Sequence, residues 1–242
     1  MTWKQKLSRS LRRFGIDMIR YQPSSHPQAR LLRLIETSGV GLVLDVGANG
    51  GQYAGELREG GYQGRIVSYE PLTEAYKTLA GQCAGDSFWE ARHLALGAEP
   101  GSSEINIAGN STSSSLLEML PTHLCAAPHS KYIGTETIQV DTVDRQLPTL
   151  GTWNGEIWLK IDTQGFEGEV LKGAVASLSK IRCVQLEMSL APLYGGSETF
   201  ESLLATMKAA GFRLVGLQPG FMNQETGELL QADGIFLKIE SR

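Results

Sequence analysis

The chain is poor in cysteine: its 242 residues include three, Cys83, Cys125 and Cys183. They are widely separated, and no C-x-x-C pair or histidine-rich spacing accompanies them. Structural zinc sites, iron–sulfur clusters and disulfide frameworks all depend on such spacing, so the sequence predicts none of them. Unpaired thiols are typical of a reducing compartment, and we expect a cytoplasmic protein.

Long hydrophobic runs are also missing. No stretch approaches the roughly 18 apolar residues of a membrane span. The N-terminus lacks the continuous apolar segment of a signal peptide, so we expect neither an exported nor an embedded chain. With 41% hydrophobic and 20% charged residues, the sequence predicts one globular domain with a full core, over residues 36–242.

Positive charge is concentrated at the N-terminus. Residues 1–20 carry six basic side chains and one acid, a net charge of +5, which leaves −9 for the remainder of a chain whose total is −4. Five apolar residues there fit one side of a helix: Trp3, Leu7, Leu11, Phe14 and Ile19. We expect residues 1–35 to form a helical, basic leader packed on the domain, with membrane-surface contact as the less favoured interpretation. The acidic body disfavours a nucleic-acid partner.

Strand-like and helix-like segments alternate along the rest of the chain. The predicted strands lie at residues 41–46, 65–70, 88–96, 157–161, 181–186, 212–217 and 234–239, and the predicted helices at 52–60, 73–83, 167–178 and 199–210. This alternation predicts an α/β fold with a doubly wound, mostly parallel sheet covered on both faces. The polar segment 109–136, between extended stretches at 103–108 and 137–140, is expected to be an insertion.

One strand-to-turn junction carries a nucleoside-binding pattern. The run VLDVGANGG at residues 43–51 leads from an apolar strand into a glycine turn, and Glu70 ends the next strand, where an acid accepts hydrogen bonds from a ribose diol. The spacing differs from the G-x-G-x-x-G of a dinucleotide site. Asp45 would repel a pyrophosphate but attract the ammonium of a methionine moiety. The pattern favours S-adenosylmethionine over NAD, and a plain tight turn is the structural alternative.

A second segment with candidate functional residues is IWLKIDTQGFEGEVLKGA at residues 157–174. Strand alternation places Lys160 and Asp162 on one face, with Asp162 at the carboxyl end, where open α/β sheets bind ligands. The next strand ends in Glu187, so neighbouring strands would bring the two carboxylates together. Three interpretations stay open: Asp162 as general base, Asp162 and Glu187 as ligands of Mg²⁺, or a structural role as helix cap and partner of Lys160.

Histidine is scarce, with four residues in the chain. His93 precedes the end of the third predicted strand and is expected to be a packed or surface residue. His123 and His129 lie in the inserted segment and are secondary candidates for a base, although a solvated surface position is favoured for each. We expect this segment, with the serine cluster at 111–115, to form a lid over an acceptor site, and Tyr194 to add to its wall.

These motifs together resemble the FkbM family of S-adenosylmethionine-dependent methyltransferases. The resemblance runs from about residue 42 to the C-terminus and is carried by VLDVGANGG at 43–51, YEP at 69–71, ALG at 95–97, LKIDTQGFE at 159–167 and VLKGA at 170–174. It implies a class I, Rossmann-like fold of the seven-stranded type and, most often, O-methylation of sugars or polyketide-type natural products. Gln164 stands where the family commonly has Glu.

The resemblance also implies roles by position. The cofactor site would consist of Asp45, Gly47, Asn49, Gly50 and Gly51 around the methionine moiety, Glu70 at the ribose, and Ala95 and Leu96 near the adenine. Asp162 would lie closest to the transferring methyl group. The sequence therefore predicts an O-methyltransferase acting on a hydroxyl of a sugar, glycolipid or glycosylated natural product. A non-catalytic S-adenosylmethionine-binding relative is the alternative, and an NAD(P)-dependent oxidoreductase is disfavoured because no Tyr-x-x-x-Lys pair occurs.

Overall fold

The computed structural model describes residues 10–239. Its strands are β1 (Val40–Val46), β2 (Arg65–Tyr69), β3 (Trp89–Arg92), β4 (Ala95–Leu96), β5 (Gly101–Ala108), β6 (Tyr132–Asp141), β7 (Glu156–Ile161), β8 (Ile181–Ser189), β9 (Phe212–Pro219) and β10 (Gln231–Lys238). Its helices are α1 (Pro27–Thr37), α2 (Gln52–Glu59), α3 (Thr73–Cys83), α4 (Pro121–Ala126), α5 (Val143–Gln146), α6 (Glu167–Lys172) and α7 (Phe200–Ala209).

The main sheet has seven strands in the order β3-β2-β1-β7-β8-β10-β9. The pairs from β3 through β8 are parallel, whereas β10 runs antiparallel to both β8 and β9. The predicted α/β, doubly wound, mostly parallel fold is confirmed. The strand order changes direction between β1 and β7, and a crevice opens at the carboxyl ends of strands at such a switch point.

Apolar side chains pack on both faces of the main sheet. One face carries a cluster that includes Leu44, Leu159 and Leu186, and the opposite face carries Val43 and Trp158. Because both faces are covered, the central strands are almost continuously buried, as expected for parallel strands in this class of fold. This packing fixes the crevice at the strand ends.

The predicted strand at 88–96 is two strands in different sheets. β3 pairs with β2 in the main sheet, and β4 joins a second, three-stranded sheet in the order β4-β6-β5. The chain turns at His93, where the Leu94 N–H donates to the Arg92 carbonyl at 3.1 Å. Pairing of Ala95 with Val140 in β6 then draws the chain away from the main sheet.

The predicted insertion begins as expected but ends earlier. β6 resumes at Tyr132 rather than at residue 137 and pairs antiparallel with β5, so the insertion is the connection at residues 109–131, which includes α4. The first half of β6 is mostly exposed, for example at Ile133. Without a buried face, this half lacks the hydrophobic alternation that identifies a strand.

The predicted helix at 167–178 is also shorter, because α6 ends at Lys172. Gly173 lies so close to the neighbouring backbone that an added Cβ would be 1.9 Å from the Gly97 carbonyl oxygen. A short 3₁₀ turn at Ser177–Ser179 replaces the remaining predicted helix. Close packing against the turn after β4 therefore overrides the local helical pattern.

The basic leader is only partly described, because Trp3 and Leu7 lie outside the described residues. Residues 10–12 are helical, Gly15 takes a positive φ of 74°, and residues 12–25 are exposed. Packing on the domain starts with α1, which buries Leu31 and Ile35, so the predicted packing does not extend over residues 12–25. Between residues 10 and 239, no helix has the length and hydrophobicity needed to span a bilayer.

Candidate active site

A cavity of about 510 Å³ opens at the carboxyl ends of β1, β2, β7 and β8 and brings both sequence motifs together. This volume lies in the range of small-molecule sites. The glycine-loop half of the cavity is lined by residues that include Gly47, Asn49, Glu70, Ala95 and Leu96. The carboxylate half is lined by Lys160, Asp162, Gln164, Gln185, Glu187, Gln231 and Asp233.

The glycine turn after β1 requires its glycine at residue 47. Gly47 has a φ of +76°, and an added Cβ would lie 1.9 Å from the Asp162 carbonyl oxygen. The absence of a side chain lets the end of β1 approach the end of β7. Gly51, with a φ of +94°, precedes α2, and neither it nor Gly50 lines the cavity. These two glycines shape the turn and do not contact the cavity.

Glu70 is held rigidly at the wall of the glycine-loop half. Its Oε2 accepts from the Asn49 N–H and its Oε1 accepts from the Leu72 N–H, both at 2.8 Å. Burial raises the Glu70 pKa to about 7, against the opposing effect of these two hydrogen bonds. The backbone thus fixes a carboxylate beside the apolar surface of Ala95 and Leu96.

Asp45 lies behind the cavity wall and is completely buried. It lies directly opposite Lys160 in the β1–β7 register. Its Oδ1 lies 3.1 Å from Lys160 Nζ, and its Oδ2 accepts from the Ser68 hydroxyl at 3.2 Å. The direct contact predicted between Asp45 and a ligand ammonium is therefore not available in this structure, because the Lys160 ammonium already occupies that position.

Lys160 connects the two halves of the cavity. Its ammonium lies 3.5 Å from Asp162 Oδ2 as well as close to Asp45, and it donates to the Gly47 carbonyl at 3.3 Å. Burial opposes the charge, but the carboxylates of Asp45 and Asp162 prevail and raise the Lys160 pKa. Lys160 is therefore a permanently charged group within the sheet.

The predicted pair of carboxylates is present, and an amide joins them. Gln164 Nε2 donates to Asp162 Oδ1 at 2.9 Å and to Glu187 Oε2 at 2.7 Å. The backbone of Gln164 has a positive φ of 55°, and its Oε1 accepts from the Tyr194 hydroxyl at 2.7 Å. Burial, reinforced by the neighbouring acids Asp162, Glu167 and Asp233, raises the Glu187 pKa.

The structure gives no support to the predicted Mg²⁺ site at Asp162 and Glu187. The Gln164 amide lies between these two carboxylates, where its NH₂ group supplies the positive partial charge that a cation would supply. In the described part of the chain, no group of three or more His, Cys, Asp and Glu side chains is arranged to hold a metal ion. Divalent cations usually take more oxygen ligands than two.

The loop after β7 is ordered by Glu167 and not by Asp162. Glu167 Oε1 accepts from the Thr163 N–H at 2.7 Å and from the Gly165 N–H at 3.3 Å. Asp162 directs its carboxylate to Lys160 and Gln164 instead, and its side chain is 36% exposed. Neither acid caps α6, because no side chain among residues 10–239 accepts from its first N–H groups. Glu167 orders the preceding loop instead, and Asp162 stays accessible from the cavity.

The histidines differ from one another. His123 is 1% exposed and lines the cavity, so its expected surface position is wrong. Its Nδ1 lies 3.0 Å from the Ser130 hydroxyl and its Nε2 lies 3.3 Å from the Tyr194 hydroxyl, and burial lowers its pKa. His129 is exposed away from the cavity, and His93 is exposed and stacks on the Tyr76 ring.

The inserted segment covers the cavity and contacts both halves. Asn49 Nδ2 donates to the Ser111 hydroxyl at 3.3 Å on the glycine-loop side. The Ser115 hydroxyl donates to the Gln164 carbonyl at 2.7 Å on the carboxylate side. Residues 110–114 line the space between these contacts. The serine cluster is therefore a wall of the cavity.

Sequence reasoning predicted Glu187 of β8 but missed Gln185 of the same strand and both Gln231 and Asp233 of β10. Gln185 and Glu187 alternate along one strand, and Gln231 and Asp233 along the other, and all four line the cavity. Gln185 also accepts from the Tyr53 hydroxyl at 2.9 Å and donates to Asp233 at 3.0 Å. Polar residues at every second position of otherwise buried strands are the signal that would have identified them.

Solved structures of several methyltransferases are similar to this chain. The FkbM methyltransferase of Methylobacillus flagellatus is 15% identical, with a TM-score of 0.46, over 81% of this chain and 43% of that chain. A putative RNA methyltransferase of Pyrococcus horikoshii is 12% identical, with a TM-score of 0.47, over 88% of this chain and 84% of that one. This chain thus spans less than half of the M. flagellatus protein.

A third solved structure is the 1,6-didemethyltoxoflavin-N1-methyltransferase of Burkholderia thailandensis with bound S-adenosylhomocysteine. It is 11% identical, with a TM-score of 0.48, over 89% of this chain and 78% of that one. No curated protein sequence matches. The family model described as "Methyltransferase FkbM domain" matches residues 45–214, more than half of the chain, and confirms the resemblance. The chain belongs to the FkbM methyltransferase family.

Proposed function

We propose that this protein transfers a methyl group from S-adenosylmethionine to a hydroxyl of a saccharide or glycosylated acceptor. The observation that carries the proposal is the continuity of one cavity from Glu70 to the accessible carboxylate of Asp162. A rigid acid beside an apolar surface suits a nucleoside, and an exposed acid at a strand end suits a reacting hydroxyl.

The residues of the glycine-loop half fit the cofactor. Glu70 presents a fixed carboxylate to a ribose diol, and Ala95 and Leu96 offer an apolar surface to the adenine. Gly47 and Asn49 would hold the methionine portion, where the absence of a side chain at Gly47 leaves the backbone open. When bound, S-adenosylmethionine supplies a methyl group on a cationic sulfur, which is ready for displacement.

Asp162 is the residue proposed to act on the acceptor. Its carboxylate accepts the hydrogen bond of the acceptor hydroxyl and takes the proton as the oxygen attacks. Lys160 and Gln164 hold this carboxylate from two sides, so its orientation is set before a substrate enters. Alignment and exclusion of water supply much of the catalysis in such a displacement. The inserted segment over the cavity provides that exclusion.

The test is a methyl-transfer assay with labelled S-adenosylmethionine against a panel of neutral and amino sugars, in parallel with calorimetric binding of S-adenosylhomocysteine. We expect Asp162→Asn to lower turnover by about 10²–10⁴-fold because general-base catalysis is lost. Binding of S-adenosylhomocysteine should stay within about threefold of the wild-type value, since Asp162 does not hold the nucleoside.

Glu104→Gln, on the exposed edge of β5, is the matched control and should keep full turnover. Unchanged turnover in Asp162→Asn would contradict the role of Asp162. Binding of S-adenosylhomocysteine without transfer to any acceptor of the panel would favour a non-catalytic relative that acts as a sensor or partner subunit.

We also propose a cytoplasmic location. The three cysteines are free, and Cys125 is exposed on α4. An exposed thiol is maintained where reducing systems prevent disulfide formation. Fractionation of the producing cells with an antibody to the protein tests this, and recovery from the extracytoplasmic fraction would contradict it.

A further inference from the structure

Two acids lie opposite each other where β8 and β10 line the carboxylate half. We call this surface, formed by Gln185, Glu187, Gln231 and Asp233, the floor of the cavity. Asp233 of β10 lies directly opposite Glu187 of β8 in the antiparallel register, and both line the cavity. Like charges at directly opposite positions destabilise a sheet. The nearby ammonium of Lys160 is already shared between Asp45 and Asp162. Glu187 and Asp233 each accept from a neutral amide, of Gln164 and Gln185 respectively, and neither forms an ion pair with another described residue. Two acids without a cationic partner therefore lie side by side in the cavity.

A buried amide without a partner lies on the same floor. Gln231 is 2% exposed and lines the cavity two residues before Asp233. Within residues 10–239, its side-chain amide forms no hydrogen bond, in contrast to the amides of Gln164 and Gln185. Amides at such low exposure are normally hydrogen-bonded within the protein. The polar atoms of Gln231 open on the cavity, so a ligand there can supply the missing partner.

We infer that Glu187, Asp233 and Gln231 form an acceptor subsite for an amino sugar, with the ammonium between the two acids and a ring hydroxyl on the Gln231 amide. The inference rests on the proposed function and specifies in addition that the acceptor is positively charged. An ammonium donates to both carboxylates and relieves their repulsion, and a neighbouring hydroxyl satisfies the amide. The reacting hydroxyl then lies on the Asp162 side of the floor.

The remaining surface of this half agrees with such an acceptor. The cavity as a whole is lined by the carboxyl groups of Glu56, Glu70, Asp162, Glu187 and Asp233, and among residues 10–239 Lys160 is the lysine that faces them. A sugar that carries a carboxylate or phosphate would meet repulsion there. Burial, with the charge of Asp162 as a smaller cause, raises the Asp233 pKa to about 6. A bound ammonium would lower it again.

Ligand-observed NMR on the full-length protein tests the subsite with and without S-adenosylhomocysteine. The probes are glucosamine, glucose, glucuronate and N-acetylglucosamine, whose nitrogen carries no charge. We expect glucosamine to bind at least about tenfold more tightly than glucose or N-acetylglucosamine, and glucuronate to bind more weakly than glucose.

Variants then assign the contacts. Glu187→Gln and Asp233→Asn should each reduce the preference for glucosamine over glucose by about tenfold, because each removes one charge and keeps the shape. Gln231→Ala should weaken both sugars alike, since it removes a contact to a hydroxyl. Glu104→Gln is the control and should change neither sugar.

Equal binding of glucosamine and glucose, binding of glucuronate as tight as that of glucosamine, or absence of sugar binding would overturn the inference. So would a preference that persists in both acid variants. The comparison with N-acetylglucosamine uses the wild-type protein, so the inference stays testable if a variant fails to fold. S-adenosylhomocysteine binding without glucosamine preference rejects the subsite alone, whereas absence of S-adenosylhomocysteine binding rejects the proposed function.

Discussion

The two halves of the cavity are built in different ways. In the glycine-loop half, two short segments at residues 46–49 and 69–72 supply backbone turns and one carboxylate fixed by backbone N–H groups. In the carboxylate half, side chains from β7, β8 and β10 meet Gln164 and the inserted segment. One half is therefore a property of local backbone geometry, and the other depends on which strands are neighbours.

The strongest way to break the glycine-loop half is Gly47→Ala. The new Cβ would lie 1.9 Å from a backbone oxygen at a positive φ, so we expect a loss of at least about 3 kcal/mol in unfolding free energy. Urea denaturation measures it. Gly61→Ala is the matched control, because Gly61 has a φ of +93° and open space around it. It should cost about 1–2 kcal/mol, and equal losses would show that backbone strain alone matters.

Glu70→Gln tests whether binding of S-adenosylhomocysteine depends on the glycine-loop half alone. We expect S-adenosylhomocysteine to bind about 10–100-fold more weakly by calorimetry, because charge-assisted hydrogen bonds to the ribose are lost. Glu187→Gln, in the other half, should leave this affinity within about threefold. A comparable loss in both variants would contradict the division of the cavity.

The raised pKa of Glu70 predicts that ligand binding by the wild-type protein depends on pH. Its carboxylate is required for binding, so wild-type affinity should fall as the pH drops through about 7, while Glu70→Gln should be flatter. Stability should respond in the opposite direction. Because the pKa of Glu70 in the folded protein lies above the ordinary glutamate value of about 4.5, the contribution of Glu70 to the unfolding free energy increases as the pH falls from about 7 to about 4.5.

In the carboxylate half, Gln164→Glu should have a smaller effect on the unfolding free energy. The change replaces the bridging amide by a third acid, and we expect a loss of about 1–3 kcal/mol at pH 8. Mg²⁺ or Mn²⁺ at millimolar concentration should recover part of it in a thermal unfolding assay, since three carboxylates can bind a cation. Gln164→Ala should lose stability without that recovery. Insensitivity of Gln164→Glu to both ions would reject the cation-like role of the amide.

The sequence was sufficient to predict those parts of the site that depend on local backbone conformation. The position of Gly47 in its turn, the acid at the end of β2 and the burial of β7 all leave a signal in the residue pattern, and the fold followed from the alternation of strands and helices. Glu187 beside Asp162 was also predictable, because consecutive strands of a parallel sheet are often neighbours.

The remainder depended on tertiary contacts that no local pattern specifies. Gln231 and Asp233 reach the cavity because β10 inserts antiparallel between β8 and β9. The inward position of His123 depends on its packing against Tyr194 and Phe221, which are distant in sequence. The end of α6 depends on a carbonyl oxygen at Gly97. In each case the deciding atom belongs to a remote segment.

Lys160 gives the two halves a common electrostatic element. Its ammonium lies between a buried acid of β1 and the acid that faces the acceptor. A charged ligand in either half therefore changes the field that the other ligand meets. Thermodynamic reciprocity requires that each alter the affinity of the other by the same factor. The affinity of a charged ligand in one half is thus expected to depend on whether the other half is occupied.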